Sequence, residues 1–320
     1  MSQGGSDIVK TLLKHYPTLP DSQFISRLNL SLLLLVASEA NSVHTGTAIF
    51  KTLASLSFFF GGLSRAFASS EDVNTVWPLL LQLVKGGLQD RFQLFMVLGL
   101  GCSVLGDVLL IPSRETYYRH VQPQPQQPQP QPQPKGKKSK LKGPVAVAAP
   151  EQKTDGKEVE EGQTLSFKAG TFFFALAHIA YSFAFIYDIN RTPINWVWFA
   201  GAFSLGTGVS LALGVFSANS RFLNIPPDMA PLVRSYVGII TTMVATASAT
   251  DKGWQKIVGA WLFMISDMFV AVDVFGKKPA AKASPPGAQI MKYVAKPGWR
   301  FRAFGWWAYF WAQMILAGTI

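Results

Sequence analysis

Apolar and polar positions alternate along this chain in blocks. Eight long apolar blocks fall at about residues 28–43, 47–67, 92–112, 167–187, 194–216, 230–249, 254–276 and 303–319. They are too long for ordinary strands or core helices. Most approach the roughly 20 residues that a helix needs to cross a bilayer. The pattern predicts an all-α polytopic membrane bundle of about eight transmembrane helices. Residues 1–27 read as a polar N-terminal segment, 28–112 as helices one to three, and 165–320 as helices four to eight. Residues 113–164 are an inserted loop. In it Gln122 to Pro134 alternates Gln and Pro, Lys135 to Lys142 is basic, and Glu151 to Glu161 is of mixed charge. Proline blocks helix interiors and sheet ladders, so the insert is expected to be a disordered or extended linker. The apolar stretch Trp77 to Val84 is too short to span and is expected at the membrane interface.

Composition supports the membrane reading. The 320 residues are 49% hydrophobic and 15% charged, against about 25% charged in soluble domains. The net charge of +11 has a local origin. Residues 114–168 carry ten Lys/Arg against six Asp/Glu, and residues 277–302 carry seven Lys/Arg and no acid. A nucleic-acid-binding face would gather its basic residues with aromatics on a folded surface. Here they lie in two loops separated by four helices, so both loops share one side, which the positive-inside rule makes cytosolic. Residues Met1 to Leu28 lack a signal-peptide pattern, and the first apolar block reads as a retained helix. The single cysteine, Cys102, leaves no intrachain disulfide or cysteine-built metal site.

Ionisable side chains inside apolar blocks carry the candidate chemistry. An aspartate within a membrane helix costs about 2.5–3.5 kcal/mol on insertion scales and marks function by default. Asp107 stands in the third block and Asp267 in the seventh. Counted from the block ends, Asp107, Lys51, Tyr236, Asp267, His178, Tyr309 and Gln313 all fall in the half of the membrane nearer the basic loops, or near its middle. A shared depth is what a polar cavity opening on that side would produce. Glu39 and Asp273 lie near block ends and are expected to be solvated. Trp306 and Trp307 read as an aromatic belt. Of His15, His44, His120 and His178, only His178 lies inside a block, so a three-histidine zinc site is not expected. Metal-free acid–base chemistry by Asp107 and Asp267 fits better, with one carboxyl charged and one protonated. Lys51 would hold the charged one.

These residues also carry a family likeness. Gly106-Asp107-Val108-Leu109-Leu110, Ala177-His178-Ile179-Ala180-Tyr181 and Ser266-Asp267 resemble the YhhN family, which includes lysoplasmalogenases. Lys51, Tyr236, Tyr309 and Gln313 match further positions, although Thr52 stands where the family tends to have proline after the lysine. The likeness runs over about 28–112 and 167–320. It implies cleavage of the alkenyl ether bond of a lysoplasmalogen, a lysophospholipid held within the bilayer, to a fatty aldehyde and a glycerophospho-base, without a cofactor. It further implies Asp107, Asp267 and His178 as catalytic, and Lys51, Tyr181, Tyr236, Ser266, Tyr309 and Gln313 as binding or supporting. His178 and Tyr181 would orient water or relay protons, and Lys51 is alternatively a phosphate contact. The family also suggests the endoplasmic reticulum membrane. Two other classes remain open on sequence: a transporter of a lipid or small polar solute, and a non-catalytic scaffold recruiting partners through the insert.

Overall fold

A computed structural model describes residues 18–67, 90–118, 164–189, 193–217, 220–250, 253–277 and 298–320. The Trp77 to Val84 stretch, most of the insert and residues 1–17 lie outside the described residues. Among these, the elements are α1 (Ser22–Ala40), α2 (His44–Ala66), α3 (Arg91–Leu109), a short α4 (Arg114–Tyr118), α5 (Leu165–Ile189), α6 (Trp196–Leu213), α7 (Ala230–Ser248), α8 (Trp254–Phe275) and α9 (Trp299–Ala317). The all-α class holds. Each of the eight apolar blocks became a long helix, with ends shifted by a few residues.

Five of these helices, α2, α3, α5, α7 and α8, are long and apolar enough to cross a membrane. The expected count of about eight is larger. Arg27, Asn29 and Glu39 dilute α1, Arg300, Arg302 and Gln313 dilute α9, and the apolar stretch of α6 is only 17 residues.

The long helices alternate in direction. One closed circuit runs α2–α3–α5–α7–α8–α9 and back to α2, with α1 packed on α2 and α9, and α6 packed outside on α7. At one end of the bundle, Asp188 at the close of α5 pairs with Lys256 at the start of α8. There Gln255 Nε2 also donates to the carbonyls of Thr18 and Ile315, at 2.9 Å each. At the other end Asn224 N donates to Phe275 O at 2.7 Å, and the Ser166 hydroxyl donates to the Leu109 carbonyl. α3 and α8 therefore finish at the same end, where α5 and α9 begin.

The core is an aromatic cluster in the middle of the circuit. Phe58, Phe263 and Phe310 are fully buried, and Phe263 meets Tyr309 edge-on at 5.2 Å between ring centroids. Two glycines bring α3 against α5. A methyl group built at Gly106 would stand 2.8 Å from the Phe174 ring, and one at Gly99 would strike the Tyr181 ring. Small residues at membrane-helix contacts permit such close approach. Here Gly106 seats Phe174 beside Asp107, which explains the pairing of glycine with aspartate in the sequence.

Candidate active site

A cavity of about 1210 Å³ opens at the end of the bundle where α3 and α8 finish. Apolar side chains of α5, α7 and α8, among them Phe174, Val237, Ile240 and Met264, form much of its wall. Both aspartates line it, together with Lys51, Tyr236, Tyr309 and Ser266. Six of the nine side chains expected from sequence thus line one cavity.

Each aspartate is held by its own set of partners. Asp107 is buried on α3. Its Oδ2 accepts from Ser55 Oγ and from Tyr309 Oη, both at 2.7 Å. Its Oδ1 faces Lys51 Nζ at 3.4 Å. Lys51 is therefore the charge partner of Asp107, and it is largely buried, at 12% side-chain exposure. Ser55 was not expected from sequence. The signal was its spacing: four residues after Lys51, it shares that helix face.

Asp267 on α8 is more open, with 19% side-chain exposure against 3% for Asp107. Its Oδ2 accepts from Tyr236 Oη at 2.5 Å and faces His178 Nε2 at 3.3 Å. Nε2 also lies 2.8 Å from Tyr236 Oη. The tyrosine proton goes to the carboxylate, so the network assigns the imidazole proton to Nε2. His178 is fully buried and its Nδ1 has no partner among the described residues. It stands behind Asp267 and Tyr236, packed edge-on against Phe263 at 4.5 Å between ring centroids. It does not itself line the cavity.

Tyr181 and Gln313 form a buried link beside Tyr309. Tyr181 Oη donates to Gln313 Oε1 at 2.7 Å, and Gln313 Nε2 donates to Ser103 Oγ at 2.9 Å. This chain joins α5, α9 and α3, and neither Tyr181 nor Gln313 lines the cavity. Ser266 Oγ turns back to Phe263 O at 2.6 Å.

The rim differs from expectation. Glu39 is not solvated: it is 1% exposed. Arg302 Nε donates to its Oε1 at 2.8 Å, and Tyr117 Oη to its Oε2 at 2.9 Å. Arg302 Nη1 also reaches Asp273 at 3.3 Å. The carboxylate is tolerated because α9 and α4 bring donors to the end of α1, a convergence the linear pattern did not show. Burial pushes the Tyr117 phenol well above its ordinary range, so it stays a neutral donor. Trp306 faces the cavity instead of forming a belt, while its neighbour Trp307 is exposed.

Among the described residues, no group of three or more His, Cys, Asp or Glu converges as a metal site would require. The arrangement offers two carboxyl groups, each bonded to a tyrosine hydroxyl and a basic side chain, on the wall of a largely apolar cavity. Comparison with known proteins gives one family: the model of the YhhN family matches residues 160–320. No curated protein and no solved structure matches the chain.

Proposed function

The chain belongs to the YhhN family, and from that premise we propose that it is a membrane-embedded hydrolase of the alkenyl ether bond of lysoplasmalogens. The observation that carries this reading is the pair of differently held aspartates on one apolar-walled cavity. A vinyl ether is cleaved by adding a proton to its outer alkene carbon. That leaves an oxocarbenium ion, which water attacks at the carbon bearing oxygen. The resulting hemiacetal collapses, the carbon–oxygen bond to glycerol breaks, and a fatty aldehyde leaves. One acid, one base and one water suffice.

The hydrogen bonds support one division of these roles. Both oxygens of Asp107 are engaged, by Ser55 and Tyr309 on one side and by Lys51 on the other. Such a group acts as a carboxylate: it stabilises the cation and draws the proton from water. The contacts of Asp267 fall on Oδ2, which leaves Oδ1 to carry the proton to the alkene. Tyr236 and His178 hold that carboxyl in place. The fatty chain lies along the apolar wall. We further propose that all eight long helices cross the membrane, that the cavity opens to the cytosol beside the two basic loops, and that the endoplasmic reticulum is the host membrane.

The test is aldehyde release by purified protein in detergent or nanodiscs, in water and in deuterium oxide. Carbon protonation places one deuterium beside the aldehyde carbon. Asp267→Asn and Asp107→Asn should each lower turnover by about 10²–10⁴-fold. Wild-type rates in both variants would sink the proposal, as would product without deuterium.

A further inference from the structure

One strong donor at the cavity rim has no use in the chemistry above. Arg302 stands on α9 and lines the cavity. Its Nε and Nη1 are taken by Glu39 and Asp273. Its Nη2 is buried and has no partner among the described residues. A guanidinium is always charged and presents its N–H groups in a rigid fork. Leaving part of that fork unbonded in a buried place is costly, and the fitting occupant is an anionic oxygen. Lys277 lines the same rim and adds a second positive charge.

Spacing along α9 gives that anion a place relative to the aspartates. Arg302 and Tyr309 are seven residues apart, two helical turns, so they share a face and stand about 10 Å apart along the axis. Tyr309 donates to Asp107. In a lysophospholipid with a vinyl ether, seven bonds separate the phosphorus from the outer alkene carbon. An extended chain advances about 1.2 Å per bond, giving about 8 Å. A phosphodiester seated on Arg302 therefore brings the reacting carbons level with Asp107 and Tyr309.

We propose that Arg302 is the phosphate anchor of this site: its Nη2 binds a phosphodiester oxygen of the lipid headgroup while Glu39 and Asp273 fix the guanidinium. Asp107 already occupies Lys51, the phosphate contact considered from sequence. The inference rests on the lysophospholipid reading of the cavity but is tested apart from catalysis.

The experiment is equilibrium binding to full-length protein in nanodiscs. The probes are a lysophosphatidylcholine, the monoacylglycerol of the same chain, and inorganic phosphate, each against wild type, Arg302→Lys and Arg302→Gln. Arg302→Lys keeps a cation for Glu39 but lacks the fork, so it separates anchoring from folding. The expected result is phospholipid binding weakened about tenfold or more in both variants, with monoacylglycerol binding unchanged. Equal loss for both lipids in Arg302→Lys, or no loss for either, would overturn the assignment. Inorganic phosphate binding as tightly as the lipid would also overturn it, in favour of a free-phosphate site. Wild-type protein that binds the lysophosphatidylcholine yet releases no aldehyde from the matching lysoplasmalogen would sink the hydrolase reading and leave the anchor standing.

Discussion

At the residue scale, His178 and Tyr236 distinguish positioning from direct chemistry. His178 is buried behind Asp267, and its Nε2 shares the tyrosine and the carboxylate. Removing either partner takes one donor from Asp267 Oδ2 and lets the carboxyl turn out of line, while the carboxyl itself remains. Tyr236→Phe and His178→Gln should therefore each lower kcat by about ten- to a hundredfold, the range seen when outer supporting partners are lost, with KM little changed. Because both act on one carboxyl group, the double variant should fall well short of the product of the single effects. Multiplicative losses in steady-state kinetics would show that they work independently. Asp107, Asp267 and Lys51 were legible in sequence because a charge in an apolar run stands out. Ser55, Glu39 and Arg302 were not. A serine is ordinary in a membrane helix, and a charge near a helix end is ordinarily wet. Only contact with another helix changes their meaning, and such contacts leave no mark in a linear pattern.

At the element scale, the α3–α5 contact sets where Asp107 stands. Gly99 and Gly106 lie two turns apart on α3 and meet the rings of Tyr181 and Phe174. A side chain at Gly106 must push Phe174 aside or move the helix that bears Asp107. Gly106→Val should lower stability by about 1–3 kcal/mol, the usual range for overpacking. It should also lower activity beyond what the lost stability explains. Thermal unfolding in detergent, read beside aldehyde release below the transition, checks both; unchanged values in both would mean that α3 sits less tightly than its contacts imply. Gly201 on α6 meets nothing within 4 Å of where a methyl group would go, so Gly201→Val is the matched control and should alter neither. Helix positions were readable from the blocks to within a few residues. Which glycine carries a close contact was not, because Gly99, Gly106 and Gly201 look alike in a row of apolar letters.

At the scale of the whole molecule, alternating helices and an eccentric insert make one further outcome predictable. The parity of apolar blocks already required the chain to leave α3 and re-enter α5 on one side. The structure agrees: Ser166 bonds to Leu109, so the insert begins and ends at neighbouring points. What parity did not reveal was α4, which turns back from Pro112 at the start of the insert and fastens Tyr117 to Glu39 and Tyr118 to His44. A five-residue helix tied down by two tyrosines has no periodic signal of its own. The described anchors lie on α4 and α5, on either side of residues 119–163. Loop closure depends only weakly on length, at about 0.6 kcal/mol per doubling. Replacing 119–163 with a flexible Gly/Ser linker of about ten residues should leave the unfolding temperature and aldehyde release near wild type. Tyr117→Phe, which removes only a hydroxyl, should disturb the cavity rim more than losing the whole insert does. If the linker variant loses activity while Tyr117→Phe keeps it, the insert takes part in function and the scaffold reading gains the ground that the hydrolase loses.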